Sequence, residues 1–261
     1  MRSRLYSTRL ILLLLVFISI SPYLPARAQP SDGSAPAPHS RLTVEEVVNQ
    51  LVRRNLERAQ TLQTYQGTRT YRLEYRGFPG NRIAEMIVDV KYLSPATKEF
   101  TVRSETGSKL VIERVFKKLL QSEQEALNAE NQSRVALNRD NYAFTMLGYE
   151  QTPSGPLYVL SVEPLVKSKL LYRGKIWVDA EDFAVVRIEG EPAKNPSFWT
   201  KDTKIEQVYG RVGDFWLPVS NRSSSSIRLG GHADFSIDYS DYRITSTAQP
   251  RERNDRVAGN R

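Results

Sequence analysis

The chain reads in two periods. Val44, Val47, Val48, Leu51, Asn55, Ala59 and Leu62 recur at helical spacing, with Arg53, Arg54, Glu57 and Arg58 off that stripe. Thr43 followed by Glu46 is a capping-box pattern, in which hydroxyl and carboxylate satisfy the free amides of a helix start. The spacing therefore predicts an amphipathic helix from Thr43 to near Thr64. Its polar face mixes Glu with Arg, which suits a helix covering a sheet better than one lying on an anionic membrane.

From Tyr65 the period becomes two. Tyr65, Gly67, Arg69, Tyr71, Leu73 and Tyr75 form one row, and a turn cluster follows at 77–81. Further strands are expected at 83–93, with Met86, Val88 and Val90 on one face, at 99–104, with Phe100 and Val102 on one face, and at 109–116. Residues 117–139 lack Gly and Pro and are rich in Leu, Ala, Glu and Gln, which predicts a helical insertion, broken near Asn131. Alternation resumes at 142–147 and 157–164, then in a hairpin of strands 172–178 and 183–188 around the acidic turn 179–182. A polar loop at 192–202 holds Phe198 and Trp199. Strands at 203–209, 215–227 and 232–244 complete the series, the last two joined at Gly230 and Gly231, a two-residue hairpin signal. Short turns permit no crossover helices, so the strands form an antiparallel meander. The fold class expected is α+β: a strongly curved antiparallel sheet, a half-barrel, of about ten strands in near-sequential order, with helices covering the concave face.

The termini change the picture. Arg2, Arg4 and Arg9 precede an apolar run at 10–20, and Ala26 and Ala28 supply the small residues of a cleavage site. The run is shorter than the roughly 20 residues that cross a bilayer, so a signal peptide over 1–28, cleaved after Ala28, is favoured over a retained anchor. Export follows. Residues 29–40 are a flexible leader, 41–245 a single domain and 246–261 a polar basic tail. The net charge of +8, from 37 basic and 29 acidic residues, suggests nucleic acid until it is apportioned. Residues 41–245 hold 29 basic against 26 acidic residues, with no one-sided basic run, so a nucleic-acid partner is excluded.

Catalytic chemistry is sparse. The chain has no cysteine and two histidines, His39 and His232. That excludes a Cys or His zinc site and a Cys nucleophile, and no cofactor or metal is expected. A Ser-His-Asp triad would have to use His232, and no nucleophile elbow accompanies it. Asp179, Glu181 and Asp182 lack the ligand spacing of a calcium loop and read as a solvated turn, with a hydrolase built on them the last-ranked reading. What remains is apolar. Met86, Val88, Phe100, Phe144, Met146, Leu160, Val162, Trp177, Trp216, Phe235 and Ile237 are candidate wall residues of an apolar cavity between a curved sheet and its helical cover.

Gly174, Lys175, Ile176, Trp177, Val178 and Asp179, then Phe183 and Val186, Arg187, Ile188 and Glu189, resemble the bacterial outer-membrane lipoprotein-sorting carrier superfamily. These are the LolA/LolB-like proteins and the RseB-type envelope-stress regulators. Trp216, Leu217 and Pro218 match a later W-x-P element, and Asp238, Tyr239, Ser240, Asp241, Tyr242, Arg243 and Ile244 match a closing strand. The resemblance implies a half-barrel with helices over its concave side, in the periplasm, binding acyl chains or another lipid. The chain departs from that pattern in its basic tail and its long helical insertion. A monomeric carrier or chaperone for a lipid or lipidated protein, serving envelope membrane components, is the first expectation. An RseB-like module that binds a protein partner through Phe198 and Trp199 is the second.

Overall fold

The computed structural model describes residues 42–95, 97–127, 129–195, 200–228 and 230–247. The expected signal peptide, the leader and most of the tail lie outside them, as do Phe198 and Trp199.

Helix α1 (Val44–Thr61) opens with the expected capping box: the Thr43 hydroxyl accepts from the Glu46 amide, and the Glu46 carboxylate accepts from the Thr43 amide. It ends three residues before the expected position, because Leu62 is already extended and paired with Thr247. The strands are β1 (Leu62–Arg76), β2 (Arg82–Leu93), β3 (Thr97–Gly107), β4 (Tyr142–Thr152), β5 (Gly155–Pro164), β6 (Tyr172–Asp179), β7 (Val185–Pro192), β8 (Thr200–Val212), β9 (Phe215–Ile227) and β10 (His232–Thr247). All ten make one antiparallel sheet in the order β3-β2-β1-β10-β9-β8-β7-β6-β5-β4.

That order is near-sequential, as expected, with one exception. Each run of hairpins is sequential within itself, but β1 pairs with both β2 and β10, so first and last strands meet in mid-sheet. The edges are β3 and β4, and the helical insertion carries the chain between them. The sheet is open.

The insertion also begins earlier than expected. Residues 109–116, read as a strand, form a short helix α2 (Lys109–Val111) and a π-helical turn (Ile112–Phe116), which continue into α3 (Lys117–Ala126) and α4 (Ala129–Val135). The reason is periodicity: Val111 and Ile112, Val115 and Phe116, Leu119 and Leu120 return every four residues and bury one helical stripe. A period of two would have split those pairs across two faces. No helix among the described residues is long and apolar enough to cross a membrane.

Two clusters make up the core. Val111, Ile112, Val115, Phe116, Leu119 and Leu120 pack on Tyr71 and Leu73 of β1, Met86 and Val88 of β2, and Phe235 and Ile237 of β10. Val47, Val48 and Leu51 of α1 pack on Tyr142, Leu160, Val162, Ile176, Val178 and Ile188 of β4–β7. Between them, the same face of β8 and β9 carries buried Thr203, Gln207, Asn221 and Ser225, with a 2.9 Å hydrogen bond between the Thr203 and Ser225 hydroxyls.

Candidate binding cavity

A cavity of about 150 Å³ lies where the two clusters meet. Asn55, Arg58 and Ala59 on the last turns of α1 form one wall. Tyr65 and Arg69 of β1, Tyr92 of β2 and Lys98 of β3 form another. Tyr172, Ile188, Tyr209, Trp216 and Leu217 of β6–β9 line the third side. Tyr65 and Tyr92 stack with ring centroids 5.2 Å apart, giving an aromatic surface beside the charged groups.

The α1 wall is fastened through one side chain. Arg58 donates from Nη1 to the Asp182 carbonyl (2.9 Å), and from Nη2 to the Phe183 carbonyl (3.2 Å) and to Asn55 Oδ1 (2.8 Å). Asp182 also accepts from Trp216 Nε1 at 2.9 Å and pairs with Arg211 at 3.5 Å. Within the turn, Asp179 Oδ1 accepts the amides of Glu181 (3.0 Å) and Asp182 (2.7 Å). The acidic turn is therefore a fastening point between α1, the β6–β7 hairpin and β9, which corrects its reading as solvated. Arg58 is half-buried rather than an outward-facing polar residue; burial, opposed by Asp182, lowers its pKa.

At the β1–β3 end sits a buried ionic triad. Arg69 grips Glu123 of α3 with two nitrogens, at 2.6 and 3.1 Å, and Lys98 donates to the same carboxylate. Their side chains are 4 % (Arg69), 4 % (Glu123) and 0 % (Lys98) exposed. Arg69 also donates to the Tyr71 hydroxyl (3.2 Å) and lies 5.2 Å from the Tyr239 ring centroid, a cation–π contact. Burial pushes the Glu123 carboxyl up, but Arg69 and Lys98 outweigh it and hold it at about 2. Burial raises the Tyr71 phenol to about 12, partly offset by Arg69.

The expected wall residues are mostly elsewhere. Met86, Val88, Phe235 and Ile237 are packed under α2–α3, and Leu160 and Val162 under α1, none more than 2 % exposed. Phe100 leans on the first cluster and Phe144 and Met146 on the second. Trp177 alternates with buried Ile176 and Val178, so it lies on the opposite face, where it donates to Glu150 (3.2 Å) beneath the Arg187 guanidinium. Trp216 alone of the eleven lines this cavity. Arg58, Arg69 and Lys98 were missed as site residues. The available signal was Arg69 itself, a cation in the inward row of β1.

His232 has a serine and an aspartate beside it, Ser224 Oγ at 2.8 Å and Asp234 Oδ1 at 3.0 Å, yet both meet the same nitrogen, Nε2. A proton relay needs the serine and the carboxylate on different ring nitrogens, so this cluster is not a triad. Among the described residues no three His, Asp or Glu side chains gather as a metal site.

No protein-family model matches the chain, and no curated protein matches its sequence. Solved structures do resemble it. A putative outer membrane lipoprotein-sorting protein domain from Vibrio parahaemolyticus is 14 % identical, with a TM-score of 0.39 over 82 % of this chain and 97 % of that one. A LolA superfamily protein from Nitrosomonas europaea is 10 % identical, with a TM-score of 0.36 over 79 % and 95 %. MucB in the Pseudomonas aeruginosa MucA/MucB complex is 10 % identical, with a TM-score of 0.27 over 74 % and 93 %. These are the kinds of protein that the motifs in 172–244 resemble. Likenesses at these scores carry no argument about function, which rests on the cavity.

Proposed function

We propose that the chain is an exported periplasmic binding protein of the lipoprotein-sorting carrier type, holding a lipid or the acyl chains of a lipidated protein between α1 and the sheet, without catalysis. On this reading the helix-bearing face is the concave side of a half-barrel. The observation that carries it is the cavity between the two core clusters, walled by tyrosines, Trp216 and aliphatic side chains and roofed by the last turns of α1. Its volume of about 150 Å³ is below the roughly 300 Å³ at which pockets for drug-sized ligands begin. A whole acyl chain does not fit at this size, and cargo enters as the end of α1 leaves the β6–β7 turn. Native mass spectrometry of the purified chain, before and after delipidation, tests this: a lipid-sized adduct is expected, and its absence together with no acyl-probe binding overturns the proposal.

The second reading, an RseB-like module for a protein partner, draws on Phe78 and Ile83, which are 79 % and 59 % exposed around the β1–β2 turn. A photo-crosslinker at Phe78 that returned only uncrosslinked chain from cells would count against it.

A further inference from the structure

Among the described residues, the cavity wall holds three cations, Arg58, Arg69 and Lys98, and no carboxylate. Arg58 is matched by the turn carbonyls and the nearby Asp182. The other two share one counter-ion, Glu123, which stands behind them on α3. Two positive charges against one negative leave the triad with a net charge of +1. Its members are at most 4 % exposed, so water cannot solvate the surplus freely.

The hydrogen bonds show the same deficit. An ammonium carries three N–H donors. Among the described residues, Glu123 is the one acceptor for Lys98 Nζ, whose side chain is 0 % exposed. Two donors of a buried cation are left over, and the cavity that Lys98 helps to line is where an acceptor fits. Buried ionic groups are matched by opposite charge and by hydrogen bonds, or they are strongly disfavoured.

Resting on the carrier reading above, we infer that the cavity takes an amphiphile with an anionic head, a carboxylate or a phosphate, which seats against Lys98 and Arg69 while its apolar body runs past Tyr65, Tyr92 and Trp216 toward α1. The head brings the count to two charges of each sign and supplies the missing acceptors. About 150 Å³ is the size of a cavity that holds a benzene-sized molecule, so it takes the head and the first carbons, and the rest of the chain follows under α1.

Isothermal titration of the purified chain with decanoate, decyl phosphate and decanol tests the inference. Both anions are expected to bind about tenfold or more tighter than the alcohol, the factor that one charge-assisted hydrogen bond provides. The stronger of the two separates a fatty-acid-like head from a phospholipid-like one. Lys98→Met leaves Arg69 and Glu123 as a neutral pair and is expected to bring the three probes to similar affinities. Decanol binding as tightly as the anions to the unsubstituted chain would overturn the anionic head and leave the carrier reading standing. Binding of none of the three would overturn both, and this comparison needs no variant to fold.

Discussion

Arg58, on the last turn of α1, donates 2.9 Å to the carbonyl of Asp182 in the β6–β7 turn, 124 residues along the chain. That bond ties the end of α1, one wall of the cavity, to the turn. Hydrogen bonds from a charged donor contribute about 1.5–3 kcal/mol each, and two of Arg58's three acceptors are turn carbonyls. Arg58→Ala is therefore expected to raise amide exchange in the last turns of α1 by about ten- to a hundredfold. The first turns, held by Val47, Val48 and Leu51, should exchange as before. Uniform exchange along α1 in both proteins would show that the tether does not govern its end.

Glu123 is the one anion of the buried triad. Glu123→Gln keeps the shape and leaves two buried cations without a charge partner, which is expected to destabilise the protein by about 3–5 kcal/mol. Urea unfolding followed by circular dichroism measures it. A loss below about 1 kcal/mol would mean that the triad behaves as a surface ion pair.

The same carboxyl sets an acid dependence. Its folded pKa is held at about 2, below the ordinary value of 4.5, so its contribution is present above the unfolded pKa and is lost as pH falls through the folded one. The window is therefore about pH 4.5 down to about 2, and the loss is roughly 3 kcal/mol. Urea midpoints measured at pH 6, 4 and 3 should fall in the wild type. The Glu123→Gln variant, lacking the group, should show a shallower fall.

Gly174 faces Gly190 across β6 and β7. A Cβ on Gly174 would lie 2.0 Å from the Glu189 carbonyl oxygen and 2.6 Å from the Gly190 Cα, both backbone atoms that cannot swing away. Gly174→Ala is expected to destabilise the protein by more than about 2 kcal/mol, with loss of protection in β6 and β7. An unchanged thermal midpoint would show that the hairpin has room the geometry denies it.

Much of the fold was legible because local chemistry determines it. The Thr43–Glu46 capping box starts α1 where the pattern predicts, and the alternation in β1, β2 and β10 matches the buried rows. The segment 109–116 was misread because eight residues rich in β-branched side chains fit either period, and what decides is its continuation into Leu119 and Leu120. The β1–β10 pairing was not legible either: strand order depends on which edges meet in space, and hairpin turns report only on neighbours.

The candidate site was less legible than the fold. Alternation told which side chains point inward, but not which of those meet another side chain and which meet a gap. Met86, Leu160 and Phe235 point inward and are packed by helices, whereas Trp216 points at the cavity. The sequence by itself determined α1, most strand positions and the shortage of catalytic groups, since these follow from period and composition. Only the tertiary structure decided that Arg69, Lys98 and Glu123, from β1, β3 and α3, converge beside the cavity. Charges so far apart along the chain become one electrostatic unit only when folding removes the water between them.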